Sequence, residues 1–105
     1  MLRIYTECLT MVREVGALLE EVAKHDRDLV RQLKRSSVSV ALNVAEGCAV
    51  RDGRRRARYG DALGSAMETT AGLEIVLALG YVTELPAEMM DRLDHITAVL
   101  VKLTR

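Results

Sequence analysis

Residues 55–79 read RRARYGDALGSAMETTAGLEIVLAL, a stretch in which apolar side chains recur at helical spacing. This stretch predicts the third helix of the chain, because a run of this length without proline can continue through about seven turns. Gly80 follows at the position where a left-handed residue ends many helices, and Tyr81 can supply the apolar closing contact. The third helix is therefore predicted to begin among arginines, to have an apolar body and to end at a glycine.

Three further helices are predicted around it from the same periodicity. The first covers about residues 2–24, and the second begins after Asp26, its predicted N-cap, and ends near residue 47. A loop over residues 48–54 separates the second helix from the third. Pro86 suits the first turn of the fourth helix, which continues to the C-terminus. Short connections between long helices predict an all-α fold, an antiparallel up-down-up-down four-helix bundle.

The composition fits one small helical core. The chain has 105 residues, so we expect a single domain over residues 1–105. Half of the residues are hydrophobic, but there are only three Tyr and no Trp or Phe, so aliphatic side chains must fill the core. Cys8 and Cys48 form no CxxC pair and are expected to be reduced, buried thiols. With no targeting segment and no long apolar run, the predicted location is cytoplasmic, away from any membrane.

The body of the third helix is apolar nearly all round. One stripe consists of Leu63, Met67, Leu73 and Leu77, and a second face consists of Ala71, Ile75, Ala78 and Leu79. A surface helix of a monomer should have a polar face, so the second face is predicted to be buried against another subunit. The alternative is a helix that is central in its own bundle.

A polar stripe crosses the second helix. Its members share one face and are Ser36, Ser39, Asn43 and Glu46. If the second and third helices form a hairpin, Ser39 and Asn43 lie close to Ser65 and Glu68. We interpret the stripe as a hydrogen-bonded network that fixes helix pairing. The alternative interpretation is a catalytic or ligand-binding pocket.

These segments resemble a known family. The run Asn43-Val44-Ala45-Glu46-Gly47 closely resembles the Asn-Ile-Ala-Glu-Gly signature of the four-helix-bundle proteins encoded in intervening sequences of bacterial 23S rRNA genes. Residues 33–40, residues 62–65 with Glu68, and residues 77–81 are similar to further parts of the family pattern, and the resemblance covers about residues 5–103. The positions that match the signature, and that we expect to be structural, are Asn43, Glu46, Gly47, Gly64, Ser65 and Glu68.

The resemblance implies more about assembly than about chemistry. It implies a four-helix bundle that is often a cyclic homopentamer. The family is similar to the accessory variability determinant of diversity-generating retroelements, a basic pentamer that binds nucleic acid and a reverse transcriptase. RNA or DNA and a reverse transcriptase are therefore the partners that the resemblance implies. No catalytic residue, metal or cofactor carries over from it.

The charge of the chain is unevenly distributed. The totals are 15 basic and 15 acidic residues, yet residues 24–59 hold ten basic and only four acidic ones. The candidate nucleic-acid-binding residues in this region are Arg31, Lys34, Arg35, Arg51, Arg54, Arg55, Arg56 and Arg58. The last five cluster where the third helix begins, and a helix N-terminus also favours anions. With few aromatic side chains for base stacking, contact to phosphate groups is predicted, and an acidic protein is the alternative ligand.

Enzymatic chemistry has little support in the sequence. A di-metal carboxylate bundle needs Glu-x-x-His units, which the chain lacks. Asp91 and His95 are one turn apart on the fourth helix, but they are a single pair. Cys48 has no nearby histidine, and no Gly-rich phosphate loop is present. We therefore expect no enzyme; the hypotheses are a nucleic-acid-binding oligomer, an oligomeric scaffold that binds only protein and, last, a metal-dependent enzyme.

Overall fold

The computed structural model describes residues 3–105 and shows four α-helices and no strand within that range. The helices are α1 (Arg3–Val22), α2 (Arg27–Ala49), α3 (Asp52–Ala78) and α4 (Ala87–Leu103). The predicted all-α class and the four helices are confirmed. The predicted start of the first helix, Leu2, lies outside the described residues.

The core lies where the four apolar stripes meet. Each helix is amphipathic or has one buried stripe at three- and four-residue spacing, and this spacing places those side chains on one face. The largest fully buried side chains are Met11, Val15, Val22, Leu33, Val40, Val44, Leu73, Val76, Met89, Leu93, Ile96 and Leu100. Burying each of them stabilises the fold by about 1.5–3 kcal/mol relative to exposure. All four helices therefore depend on the same core.

Helices α2 and α3 have the most extensive contact in the molecule, and their contacts follow a regular order. Successively earlier residues of α2 meet successively later residues of α3. The hydrogen-bonded or ion-paired contacts are Glu46 with Arg58, Ser39 with Ser65, and Ser36 with Thr69. The two helices are joined by only Val50 and Arg51, so this pairing begins directly at the connection.

The predicted loop over residues 48–54 is wrong in its extent. Helix α2 continues to Ala49, and α3 already begins at Asp52, whose φ of 61° places it in the left-handed region. The reason is a side-chain contact: Arg55 Nε–H donates to the carbonyl oxygens of Gly47 at 3.1 Å and of Val50 at 2.9 Å. A guanidinium that binds the last carbonyls of a helix stabilises its final turn.

The start of the α3–α4 connection is held by several contacts. Gly80 has φ 75°, as predicted for a helix C-terminus, and the N–H of Tyr81 donates to the carbonyl of Val76 at 3.1 Å. Tyr81 Oη also donates to Asp26 Oδ2 at 3.2 Å, while Asp26 Oδ1 caps α2 by accepting from the N–H of Leu29 at 2.9 Å. The α1–α2 and α3–α4 connections are therefore linked to each other.

Helices α1 and α4 are joined by Arg92. Its guanidinium donates to Glu14 Oε1 at 2.8 Å and also to Glu7, two residues on one face of α1. The hydrogen bonds that Arg92 donates to Glu14 and, to a lesser extent, to Glu7 raise the pKa of Arg92 above its usual value. The Arg92 side chain is mostly buried, so its charge-assisted hydrogen bonds to Glu7 and Glu14 hold the first and last helices together.

Candidate nucleic-acid interface

Five arginines lie where α2 passes into α3. The backbone of Arg51 is extended at the N-cap position of α3, and Arg54, Arg55 and Arg56 lie in the first two turns of that helix. All four are exposed, as is Arg58 one turn later. The structure therefore brings the predicted arginine cluster together at one end of the α2–α3 pair.

The cluster is nevertheless not one unit. Arg55 binds the carbonyls at the end of α2, and Arg58 forms ion pairs with Glu46 at 3.1 Å and with Asp61 at 3.8 Å. The remaining three, Arg51, Arg54 and Arg56, form no ion pair with any residue of the range 3–105. Within the cluster and among the described residues, these three guanidinium groups are therefore the ones with neither an ion pair nor a side-chain hydrogen bond, and the nucleic-acid-binding role of the eight basic residues stays a prediction.

The N-terminus of α3 adds to this positive region. No side chain caps it within the described part of the chain, so the first N–H groups of the helix remain available to an acceptor. The helix dipole also places partial positive charge at this end. Asp52 in the first turn offsets part of that charge. Three guanidinium groups and an uncapped helix end form a region that favours an anion.

The predicted basic residues of α2 lie elsewhere. Arg31 pairs with Asp28, and Arg35 with Glu68 at 3.8 Å, while Lys34 forms no ion pair with a residue between 3 and 105. These side chains line a shallow cavity of about 620 Å³ on the outside of α2. Arg35 precedes Arg51 by sixteen residues, about 24 Å along a helix, so it lies apart from the group Arg51, Arg54 and Arg56.

A second shallow cavity spans part of that distance. It has a volume of about 450 Å³ and lies along α2 and α3. Its lining residues are Lys34, Arg35, Val38, Ser39, Leu42, Asn43, Glu46 and Arg58. A flexible anionic chain that follows this cavity would have cations at both ends. Glu46 in its wall opposes an anion, which makes the cavity a weaker candidate than the connection.

The predicted polar stripe is a hydrogen-bonded ladder between α2 and α3. Ser39 Oγ and Ser65 Oγ are 2.8 Å apart, and Asn43 Nδ2 donates to Ser39 O at 3.0 Å and Ser39 Oγ at 3.1 Å. No buried side-chain nitrogen or oxygen of the described residues lacks a partner. A satisfied network of this kind fixes helix register. This geometry supports the helix-pairing interpretation of the stripe.

Two signature carboxylates lie outside the ladder, and one unpredicted residue lies inside it. Glu46 and Glu68 are both exposed and pair with arginines. Thr69 is fully buried, and its Oγ1 is hydrogen-bonded to Ser36 Oγ and to the carbonyl oxygen of Ser65, each at 2.8 Å. The signal for Thr69 was available, because it is the one threonine in an otherwise apolar and aromatic buried stripe of α3 (Asp52–Ala78).

The signature glycines have different surroundings. A Cβ added at Gly47 would lie 2.5 Å from Cε1 of the buried Tyr59 ring, so this glycine allows the ring to pack on α2. A Cβ at Gly64 would meet nothing within 4 Å. Packing within one chain therefore explains why residue 47 is a glycine. It does not explain the glycine at position 64, where a side chain would have room.

The two cysteines are free thiols, and their surroundings differ. Cys8 is fully buried, and burial raises the pKa of its thiol to about 12. Cys48, which was expected to be buried, is only half-buried, with Sγ 3.8 Å from Tyr59 Oη. Residues 3–105 contain no group of three His, Cys, Asp or Glu side chains that could hold a metal ion. The same range has no helix long and apolar enough to cross a membrane.

The chain is thus a small all-α protein of four helices around one aliphatic core. A serine–threonine ladder joins α2 to α3, and arginines lie at the connection between these two helices. The model of the 23S rRNA-intervening sequence protein family matches residues 1–102, and the chain belongs to this family. The predicted family resemblance is thereby confirmed. The similarity to the accessory variability determinant stays a prediction.

A known structure has the same fold. It is the 1.70 Å crystal structure of a protein with unknown function from the S23 ribosomal protein family of Bacteroides thetaiotaomicron. The TM-score is 0.85 at 17% sequence identity, and the match covers 97% of this chain and 98% of the other. At this identity the likeness concerns the fold alone. Comparison with curated proteins finds no match.

Proposed function

We propose that this protein is a cytoplasmic, non-catalytic homo-oligomer that binds the phosphate backbone of RNA or DNA through the α2–α3 connection. The observation that carries the proposal is the group Arg51, Arg54 and Arg56. These side chains are exposed and form no ion pair within the described residues. The proposed subunit is an antiparallel up-down-up-down bundle, which the order of the α2–α3 contacts supports.

The energetics of the free protein favour an anionic ligand at this connection. Cations near a helix N-terminus are unfavourable by about 0.3–1 kcal/mol each at low ionic strength, and the arginines also repel one another. A bound phosphate removes both penalties and accepts hydrogen bonds from guanidinium groups and free backbone N–H groups. The binding free energy thus includes relief of repulsion that is present in the free protein.

Contact to the phosphate backbone rather than to the bases is expected because few aromatic rings are available to stack on bases. Tyr59 is buried against Gly47, and Tyr81 stacks on His25 with ring centroids 5.0 Å apart. Single-strand binders that read bases stack them on exposed aromatic side chains. We therefore expect weak sequence preference and a strong dependence on salt.

Assembly is the second part of the proposal. Large apolar side chains are exposed at Leu42 on α2 and at Met67, Ile75 and Leu77 on α3, and Leu79 follows as the exposed C-cap of α3. Contiguous exposed apolar surface on a small protein commonly marks an interaction site. A closed ring would repeat the arginine connection around one rim and strengthen its field. The expected ring is a pentamer, a number that rests on the family resemblance.

The binding test compares two triple variants of equal charge. Arg51, Arg54 and Arg56 are changed together to Ala, and the control changes Arg13, Lys24 and Arg27, three exposed cations remote from the connection. Arg55 is kept because it caps α2. Binding of a labelled single-stranded RNA and of its DNA equivalent is measured over a salt series. The connection triple should make the negative slope of log K against log salt shallower by about 2, which corresponds to three lost phosphate contacts at about 0.7 each.

The control triple decides how a loss of binding is interpreted. If both triples weaken binding equally, the arginine connection is not the interface and only general charge matters. If the parent binds neither RNA nor DNA, nucleic-acid binding is wrong, and the scaffold that binds only protein replaces it. The exposed apolar side chains of α2 and α3 are the observation that favours this second candidate.

A reverse transcriptase as the partner enzyme belongs to the proposal through the family resemblance alone. Co-purification of the tagged protein with the reverse transcriptase of its own cell, with and without nuclease, tests it. Association that survives nuclease treatment indicates direct contact. Association that nuclease abolishes indicates a shared nucleic acid.

A further inference from the structure

The outward side of α3 has an apolar ridge. We define the ridge as Met67, Ala71 and Ile75, spaced four residues apart and about 12 Å long along the helix. Met67 is 60% exposed and Ile75 is 48% exposed. Gly64, one turn before the ridge, has open space where a Cβ would be. The buried stripe of α3 is on its other side, so the ridge has no role in the core of its own chain.

An apolar groove lies between α1 and α2. Its volume is about 380 Å³. Its lining residues are Val12, Gly16, Leu19, Glu20, Ala23, Val30, Lys34, Ser37 and Val38. A Cβ added at Gly16 would meet nothing within 4 Å, so the groove is open at this glycine. From Val12 to Ala23 the groove extends about 16 Å along α1, enough to receive a ridge 12 Å long.

The charges beside the ridge and the groove are complementary. Glu74 lies next to Ile75 on α3, and Lys34 lies in the wall of the groove. Both are exposed, and neither forms an ion pair with another residue of the range 3–105. The other charged residue in the wall of the groove is Glu20, on the α1 side, so Lys34 supplies the positive charge. The groove is therefore complementary to a surface on which a carboxylate lies beside an apolar ridge.

We infer that the ridge of one copy of this chain docks into the α1–α2 groove of a second copy, with Glu74 opposite Lys34. This inference rests on the homo-oligomer of the proposed function and names its two contacting surfaces. The ridge lies on α3, which packs on α2 and α4, whereas the groove lies between α1 and α2. Because the two surfaces differ, the contact is heterologous and continues from copy to copy until a ring closes.

The test uses a ridge variant and a groove variant. The ridge variant is Met67→Gln with Ile75→Gln, two exposed positions; the groove variant is Gly16→Gln, whose side chain enters open space and improves helix propensity. Sedimentation velocity of the full chain should show each variant alone to be dissociated, with self-association at least about tenfold weaker. An equimolar mixture should form dimers and nothing larger, because only one intact ridge and one intact groove remain per pair. Val101→Gln on α4 is the matched control, an exposed apolar position outside both the ridge and the groove, and it should assemble like the parent.

Charge exchange gives a second, independent readout. Lys34→Glu and Glu74→Lys should each weaken assembly, and the double variant should restore it. If the parent assembles but Gly16→Gln has no effect while the ridge variant dissociates, the ridges pair with each other and the inferred groove contact is wrong. If the parent sediments as a monomer, the homo-oligomer of the proposed function fails, and this contact fails with it.

Discussion

Gly47→Ala is expected to destabilise the protein, although alanine is the better helix former. Gly47 lies in the last turn of α2, where replacing glycine by alanine would ordinarily stabilise by about 1 kcal/mol. An added Cβ would lie 2.5 and 2.7 Å from two carbons of the Tyr59 ring. The ring is rigid and almost completely buried, so it has to move by about 1 Å to restore ordinary contact.

The magnitude follows from these two opposing effects. Overpacking a core by one methyl group costs about 1–3 kcal/mol, which equals or exceeds the gain in helix propensity. Gly60→Ala is the matched control, because Gly60 lies inside α3 and its added Cβ would meet nothing within 4 Å. We expect the free energy of unfolding of Gly47→Ala to be about 1–3 kcal/mol below that of Gly60→Ala.

Urea unfolding followed by far-ultraviolet circular dichroism measures the difference, at one protein concentration because assembly adds to stability. Tyr59→Leu removes the ring, so in that background Gly47→Ala should become stabilising, and the double-mutant cycle should show the coupling. If Gly47→Ala stabilises the parent as much as Gly60→Ala does, the ring contact does not explain this glycine.

Three further outcomes are expected. Arg55→Ala should lower the free energy of unfolding by about 1 kcal/mol through loss of the α2 cap, whereas Arg54→Ala should change it by less than about 0.5 kcal/mol, as denaturant titrations can show. Thr69→Val should cost about 1 kcal/mol, since it removes the hydrogen bonds to Ser36 Oγ and Ser65 O; an unchanged urea midpoint would contradict the ladder. Burial raises the pKa of Cys8 from 9.0 to about 12, so the protonated thiol contributes stability below pH 9 that is lost as the pH rises towards 12. Over that interval the urea midpoint of Cys8→Ala should fall less steeply with pH than that of the parent protein.

Much of the fold follows from local sequence patterns. Met89, Leu93, Ile96, Leu100 and Leu103 recur at heptad-like spacing in α4, and all but Leu103 are buried. Gly80 adopts the left-handed conformation that ends α3. Periodicity and turn chemistry determine these features within a few residues of the chain. The α2–α3 connection is different because its length depends on Arg55 reaching back to the carbonyls of α2, a contact that no local pattern contains.

The candidate interface was predictable in composition but not in detail. The sequence places five arginines near the start of α3, yet it cannot tell which of them neighbouring groups will bind. Arg55 and Arg58 are bound to carbonyls and carboxylates of α2, because α2 ends beside them. Charge counting treats all five alike, whereas the distinction among them depends on tertiary contacts.

The Arg92 contact has a consequence for how the molecule opens. It joins residues 78 and 85 positions apart, whereas the Ser39–Ser65 contact spans only 26 positions. Closing the longer loop costs about 1 kcal/mol more in chain entropy, so the α1–α4 seam re-forms less readily than the α2–α3 pair. Thermal opening should therefore begin with the release of α1 or α4 while α2 and α3 remain together. Amide hydrogens of the two outer helices should then exchange with solvent faster than those of α2 and α3, so the arginine-rich connection would belong to the most persistent part of the molecule.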